Sequence, residues 1–205
     1  MTRWISQFDC PANDWLPMVM GTPDGAEHVA RQVADREGEG VRDYAEAVYP
    51  ELKVIWENMR ERQAAPVAVC VPVIPRSARP LVPASAYVQG WRCTPEDRVM
   101  ETLTDLVSQP KHHRLGKPDV SVVELPAGPT CRVQEVLLND VGDDGRRFII
   151  EQIDHFVLPP ACQEGMFKFT IPWSDPTLGP GISHLADEMA FSLSICSDET
   201  TNDSA

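Results

Sequence analysis

The chain predicts an α/β (α+β) domain, an antiparallel twisted β-sheet covered by helices, and three observations carry that reading. Residues 119–173 hold four strand-like runs joined by short polar turns, at 119–125, 131–138, 147–158 and 166–173. Strands that follow one another in this way form an antiparallel meander. Helical periodicity falls outside them, at 24–63, from 94 to 109 and from 182 to 193. The run 147–158 is apolar on both faces, with Phe148 and Ile150 on one and Ile149, Ile153 and Val157 on the other. That is the pattern of a central strand covered on both sides. Helices before and after such a strand imply an α/β/α sandwich.

At 205 residues the chain fits one domain, expected over 1–196, with a polar, disordered tail at 197–205. A core of that size needs no disulfide or metal staple. In residues 1–23, Trp4, Phe8 and Trp15 suggest one short extended segment docked on the core. Asp24, with Glu27 three residues on, opens a helix in the manner of a capping box, and Gly38 and Gly40 end it. Val41, Tyr44, Ala45, Val48, Leu52, Ile55 and Met59 then recur at spacings of three and four, the apolar stripe of a second helix. Pro50 lies inside that stripe and predicts a break or kink.

Residues 66–75 form a β-branched, proline-bounded strand, and 81–89 a second whose Pro83 suggests an edge or an irregular start. Thr94 and Pro95 open a helix with Val99, Leu103, Leu106 and Val107 on its buried face, ended by Pro110. A loop from 111 to 118 leads into the meander. In its last strand Phe167, Phe169 and Ile171 point one way, Lys168 and Thr170 the other. After Pro180 and Gly181, residues 182–193 read as a short closing helix.

The order of elements resembles a known family. The strands at 120–125, 131–138, 148–158 and 166–171, then the turn Ser174-Asp175-Pro176 and a closing helix, look like the PsbP-like fold over about residues 66–196. That fold is shared by the extrinsic photosystem II protein, by a Ran-binding nuclear import factor and by many bacterial proteins of unknown role. The resemblance implies a binding or scaffold role and no catalytic residues. The helical segment 24–63 departs from it.

Charge narrows the partners. A net charge of −13 argues against nucleic acid and against an anionic membrane surface, both of which require surplus Lys and Arg. No stretch approaches the length of a membrane span, and the N-terminus lacks the apolar run of a signal peptide. Six isolated cysteines, with no Cys-x-x-Cys, argue against a zinc or redox motif and for a cytoplasmic protein with reduced thiols. No cofactor fingerprint is present, so no cofactor is expected.

Each candidate for chemistry has a plainer reading. The Asp-rich segment 139–145 places Asp140, Asp144, Gly145 and Glu151 at the first, fifth, sixth and twelfth positions of a calcium loop. Gly142 brings no ligand at the third, and the flanks read as strands, so a polar hairpin turn fits better. His112 and His113, among Lys111, Arg114 and Lys117, form the one basic cluster; adjacent histidines do not face one metal, and a solvated loop or an anionic-partner contact remains. Ser183, His184 and Asp187 are residue types of a hydrolase triad, but they crowd within about one helical turn without a nucleophile elbow. Cys131 and His155 lack a local signature of a nucleophile and its base.

Interaction candidates remain. Glu46 and Glu51 belong to an acidic helix surface with Asp35, Glu37, Glu39, Asp43 and Glu57, which is either a solvated face or a dock for a basic partner. Trp91 beside Arg92, and Trp173, serve either as core packing or as interface anchors. The resulting expectation is a non-enzymatic, cytoplasmic protein-binding module with an unidentified protein partner. The alternative is an enzyme or small-ligand carrier using a cleft between the sheet and helices 24–63.

Overall fold

The structure, a computed structural model, describes residues 4–11, 14–141 and 146–198. Its centre is the expected antiparallel meander: β5 (Arg114–Leu125), β6 (Gly128–Val141), β7 (Arg146–Val157) and β8 (Gly165–Trp173). The sheet continues past β8 through β4 (Ala84–Arg92) and β3 (Val67–Cys70) to β2 (Trp15–Met18). Seven strands result, in the order β2-β3-β4-β8-β7-β6-β5, and every neighbouring pair is antiparallel. A separate ribbon pairs β1 (Trp4–Gln7) with β9 (Ser194–Ser197). The N-terminal region therefore holds two strands in two sheets rather than one extended segment, and Ser197 ends a strand rather than beginning a tail.

Side-chain alternation sorts the two faces. On one, α1 (Gly25–Ala34) and α2 (Val41–Glu61) bury Val29, Val33, Val48 and Leu52 against Val67, Val69 and Tyr87. Further along the same face, α3 (Met100–Ser108) packs Leu103 and Val107 on Cys131 and Val133. On the other, α4 (Gly179–Phe191) lays Ile182, Ala186, Met189 and Ala190 over Ile153, Val157, Phe169 and Ile171. Trp4 and Ile195 of the ribbon pack against that second core. The layers are helices, sheet and helix.

Several elements differ from the sequence reading. Helix α2 runs unbroken through Pro50. Proline there removes one bond to the Glu46 carbonyl, but both residues face solvent, where water replaces it. Asp24 precedes α1 without a side-chain cap. The segment after Thr94 forms a 3-10 turn at Glu96–Arg98, and extended Val99 separates it from α3. More than half of the expected 111–118 loop is strand, because β5 starts at Arg114. β6 and β7 pair out to Val141 and Arg146, as a hairpin requires; the rest of the Asp-rich segment, 142–145, lies outside the described residues.

Beside α3 the sheet buries a charged chain. Arg114 donates from Nε to Glu135 Oε2 at 2.5 Å and from its Nη atoms to the Val107 and Gln109 carbonyls. Gln152 bridges Glu135 and Asp154 at 2.9 and 3.0 Å, and Asp154 accepts from Thr170 at 2.6 Å. Register explains the contacts, since Glu135 lies opposite Gln152 and Asp154 opposite Thr170. No helix among the described residues is long and apolar enough to cross a membrane.

Candidate functional site

A cleft opens where β4 ends and β8 begins. Gly90 lies opposite Phe167 there and Arg92 opposite Gly165. Both glycines are required by close approach. A Cβ on Gly90 would lie 2.9 Å from the Phe167 ring, and one on Gly165 would lie 2.5 Å from Cys162 Sγ. Phe167 and Cys162 thus form a low floor that any larger residue would lift.

Two walls enclose it. Arg98 ties the loop 159–165 down by donating to the carbonyls of Pro159, Cys162 and Gly165. On the opposite side β1 contributes Trp4 and Ser6, the latter anchored by its hydroxyl on the Ala65 carbonyl at 3.0 Å. The cleft holds about 730 Å³, and Trp91, Arg92, Gln63 and Glu164 complete its rim. Trp91 is 39% exposed, and the exposed Arg92 guanidinium has no partner among the described residues.

A second cavity, about 520 Å³, lies at the start of α4 between Gln134, Glu151, Ser183 and Asp187. Behind it the α4 face of the sheet carries a polar cluster. Asp187 Oδ1 lies 3.1 Å from His155 Nε2 and accepts from Arg132 Nε at 2.7 Å. Arg132 also reaches Ser183 Oγ at 3.3 Å and Gln134 Oε1 at 3.4 Å. Burial raises the Asp187 carboxyl, but the hydrogen bonds from His155 and Arg132 and the Arg132 charge outweigh it and hold the group below its ordinary value.

The sign of that shift sets a pH window. A carboxylate with a depressed native pKa stabilises the fold above its unfolded pKa, and the contribution disappears as pH falls through the native value. The gap in thermal midpoint between the native sequence and Asp187→Asn should therefore be widest near neutral pH and close below about pH 4. A gap unchanged down to pH 2 in the same melts would sink this assignment.

This cluster is not a hydrolase triad. Ser183 meets an arginine and an amide rather than a base, and His184, exposed on α4, pairs with Glu188 at 3.4 Å. Cys131 and His155 are on opposite faces, because His155 registers with Arg132 and Cys131 with Phe156. Burial raises the Cys131 thiol and pushes that of Cys70 up to about 12, so both are poor nucleophiles. Among the described residues no three His, Cys, Asp or Glu side chains gather to hold a metal.

The interaction candidates divide. Trp91 and Arg92 meet at the cleft, and Glu46 is exposed on α2. Glu51 is not a free acidic surface: its carboxylate accepts from the Leu81 and Val82 amides at 2.8 and 3.0 Å and from Arg79 at 2.6 Å, clamping the loop before β4. Trp173 is not an interface anchor either; at 1% exposure it belongs to the core under α4. His112 and His113 touch edge to face at 4.9 Å in the turn before β5. Their basic neighbours are drawn inward, Lys111 to Glu135 at 3.6 Å and Arg114 beneath it, which breaks up the cationic cluster. Arg132, Gln134 and Trp4 were missed by sequence reading. The alternation of Arg132 and Gln134 with Cys131 and Val133 in β6 was the available signal, a polar stripe on a central strand.

No family model and no curated protein matches this chain. Among solved structures it is similar to LpqN, involved in cell envelope biogenesis of Mycobacterium tuberculosis, with a TM-score of 0.46 and 11% identity over 95% of this chain and 84% of that one.

Proposed function

We propose that the protein is a non-enzymatic protein-binding module that contacts its partner through the Trp91–Arg92 cleft. The carrying observation is the pairing of two indoles, Trp4 and Trp91, with an exposed guanidinium that has no partner among the described residues, around a floor kept low by glycine. Tryptophan and arginine are the side chains that most often dominate binding energy when they border a desolvated pocket. Arg98 fixes the wall beforehand, so little entropy is lost on docking. The groups that catalysis would use are committed elsewhere: Ser183 to Arg132, His155 to Asp187, and Cys131 to the apolar interior. The PsbP-like resemblance points the same way. A reducing cytoplasm suits six free cysteines.

The test compares co-purification from the native host by the unaltered chain, Trp91→Ala and Arg92→Glu. A partner retained by the first should bind each variant about 30-fold more weakly, the effect of losing a hot spot, with melting unchanged. Equal capture by all three would remove the cleft from the account. A second reading, a small-ligand carrier, rests on the α4 cavity. There the half-buried Glu151 carboxylate has no partner among the described residues and faces Gln134 and Ser183.

A further inference from the structure

We infer that the sheet face beside the start of α4 docks an amphipathic helix of a basic partner protein, with one lysine or arginine of that helix paired to Glu151 in the α4 cavity. This surface lies at the opposite end of β8 from the Trp91–Arg92 cleft and does not depend on it. Register places its apolar groups. Leu115, Val136, Glu151 and Trp173 stand in one row across β5, β6, β7 and β8, and Leu138 pairs with Ile149 in the next row toward the hairpin. Paired residues point to one side of a sheet, and Trp173 is packed under α4, so the whole group lies on the α4 face.

Helix α4 leaves that group bare. It starts beside Glu151, where a Cβ on Gly179 would lie 3.4 Å from the carboxylate, and runs away toward His155, which meets Asp187. Leu115 is therefore 43% and Ile149 50% exposed, with Val136 and Leu138 half-buried between them. Apolar side chains that adjoin across three strands mark an interaction surface rather than scattered exposure. Three strands span about 10 Å, the width of one helix, and this face carries one α-helix against three on the other.

Charge selects the occupant. Glu151 lines the cavity, and Asp119, which registers with Gln134 on the same face, is exposed; neither has a partner among the described residues. Of the nearby cations, Arg132 is held by Asp187, Arg147 has a partner, and Lys117 is in the bulge of the edge strand. A second copy would set these carboxylates against their own kind on a chain of net charge −13, whereas a basic helix supplies the missing counter-charge. Glu151 follows Ile149 by two residues on β7, so one helix reaches the apolar group and the carboxylate together.

The probe is a labelled synthetic peptide of about 18 leucines and lysines, its leucines recurring at spacings of three and four, titrated with the full chain by fluorescence anisotropy. The unaltered chain should bind it with a Kd of about 10 µM. Ile149→Lys, which sets a charge in the apolar group, and Glu151→Gln, which removes the counter-charge, should each weaken binding about tenfold or more, with circular dichroism unchanged. Trp91→Ala should bind as well as the unaltered chain, and a scrambled peptide of the same composition about tenfold less. Equal binding of the scrambled peptide would show attraction by charge alone and overturn the inference. So would loss of binding in Trp91→Ala, which places the peptide in the first cleft, or self-association of the chain abolished by Ile149→Lys, which gives this face to a second copy. Absence of binding up to about 1 mM overturns it as well.

Discussion

Arg114→Met is expected to destabilise the fold by about 3–5 kcal/mol, the cost of stripping one partner from a buried ion pair. Arg114 and Glu135 side chains are each only 2% exposed, and their short contact is the centre of the charged chain beside α3. Without the guanidinium, Glu135 keeps one bond from Gln152 and a 3.6 Å approach by the partly exposed Lys111. The Val107 and Gln109 carbonyls at the end of α3 lose their donor as well. The double variant Arg114→Met/Glu135→Leu should recover most of the loss, because two apolar groups avoid the desolvation that a lone carboxylate suffers. Urea denaturation of the two single variants and the double one gives the coupling directly. Independent, additive effects would show that the pair is not the unit that matters.

Trp173→Ala should cost a similar amount, about 3–5 kcal/mol, through the cavity it leaves beneath α4. An interface anchor would instead leave stability unchanged and reduce binding. Trp173 packs with Phe169 and Ile171 under Ile182 and Ala186, in a cluster closed to solvent. Its indole N–H is buried with no hydrogen-bond partner among the described residues. Trp173→Phe should accordingly cost much less than Trp173→Ala: the ring still fills most of the space, and an unpaired buried donor disappears. Thermal or urea melts that rank Phe as badly as Ala would show that the indole itself is needed.

The parts of the fold that were legible beforehand are those with a strong local period. The four strands from Asp119 onward and the stripe from Val41 to Met59 became β5–β8 and α2, but in β7 only Ile153 and Val157 are covered as expected, while Phe148 and Ile149, near the hairpin end, are 45% and 50% exposed. Pro50 misled because propensity describes the helix interior and says nothing of which side meets water. Trp91 and Arg92 were visible as neighbours of suitable chemistry. Trp4 was not, because it joins the cleft through a ribbon in which its partner is Ser197, at the far end of the chain. Trp173 and Glu51 carried the same chemical signal as Trp91 and Glu46, yet the first closes a core and the second clamps a loop. Residue type alone does not separate those outcomes.

Local pattern by itself determined that this chain forms an antiparallel meander flanked by helices, because strand and helix periods are written in side-chain alternation over a few residues. Tertiary structure alone decided which polar groups meet. Arg132 finds Asp187 across 55 residues, Arg114 finds Glu135, Arg98 ties down the wall of the cleft, and β5 is left as an open edge. Those pairings follow from strand order and register, which are set by packing the whole sheet at once and leave no local trace in the sequence.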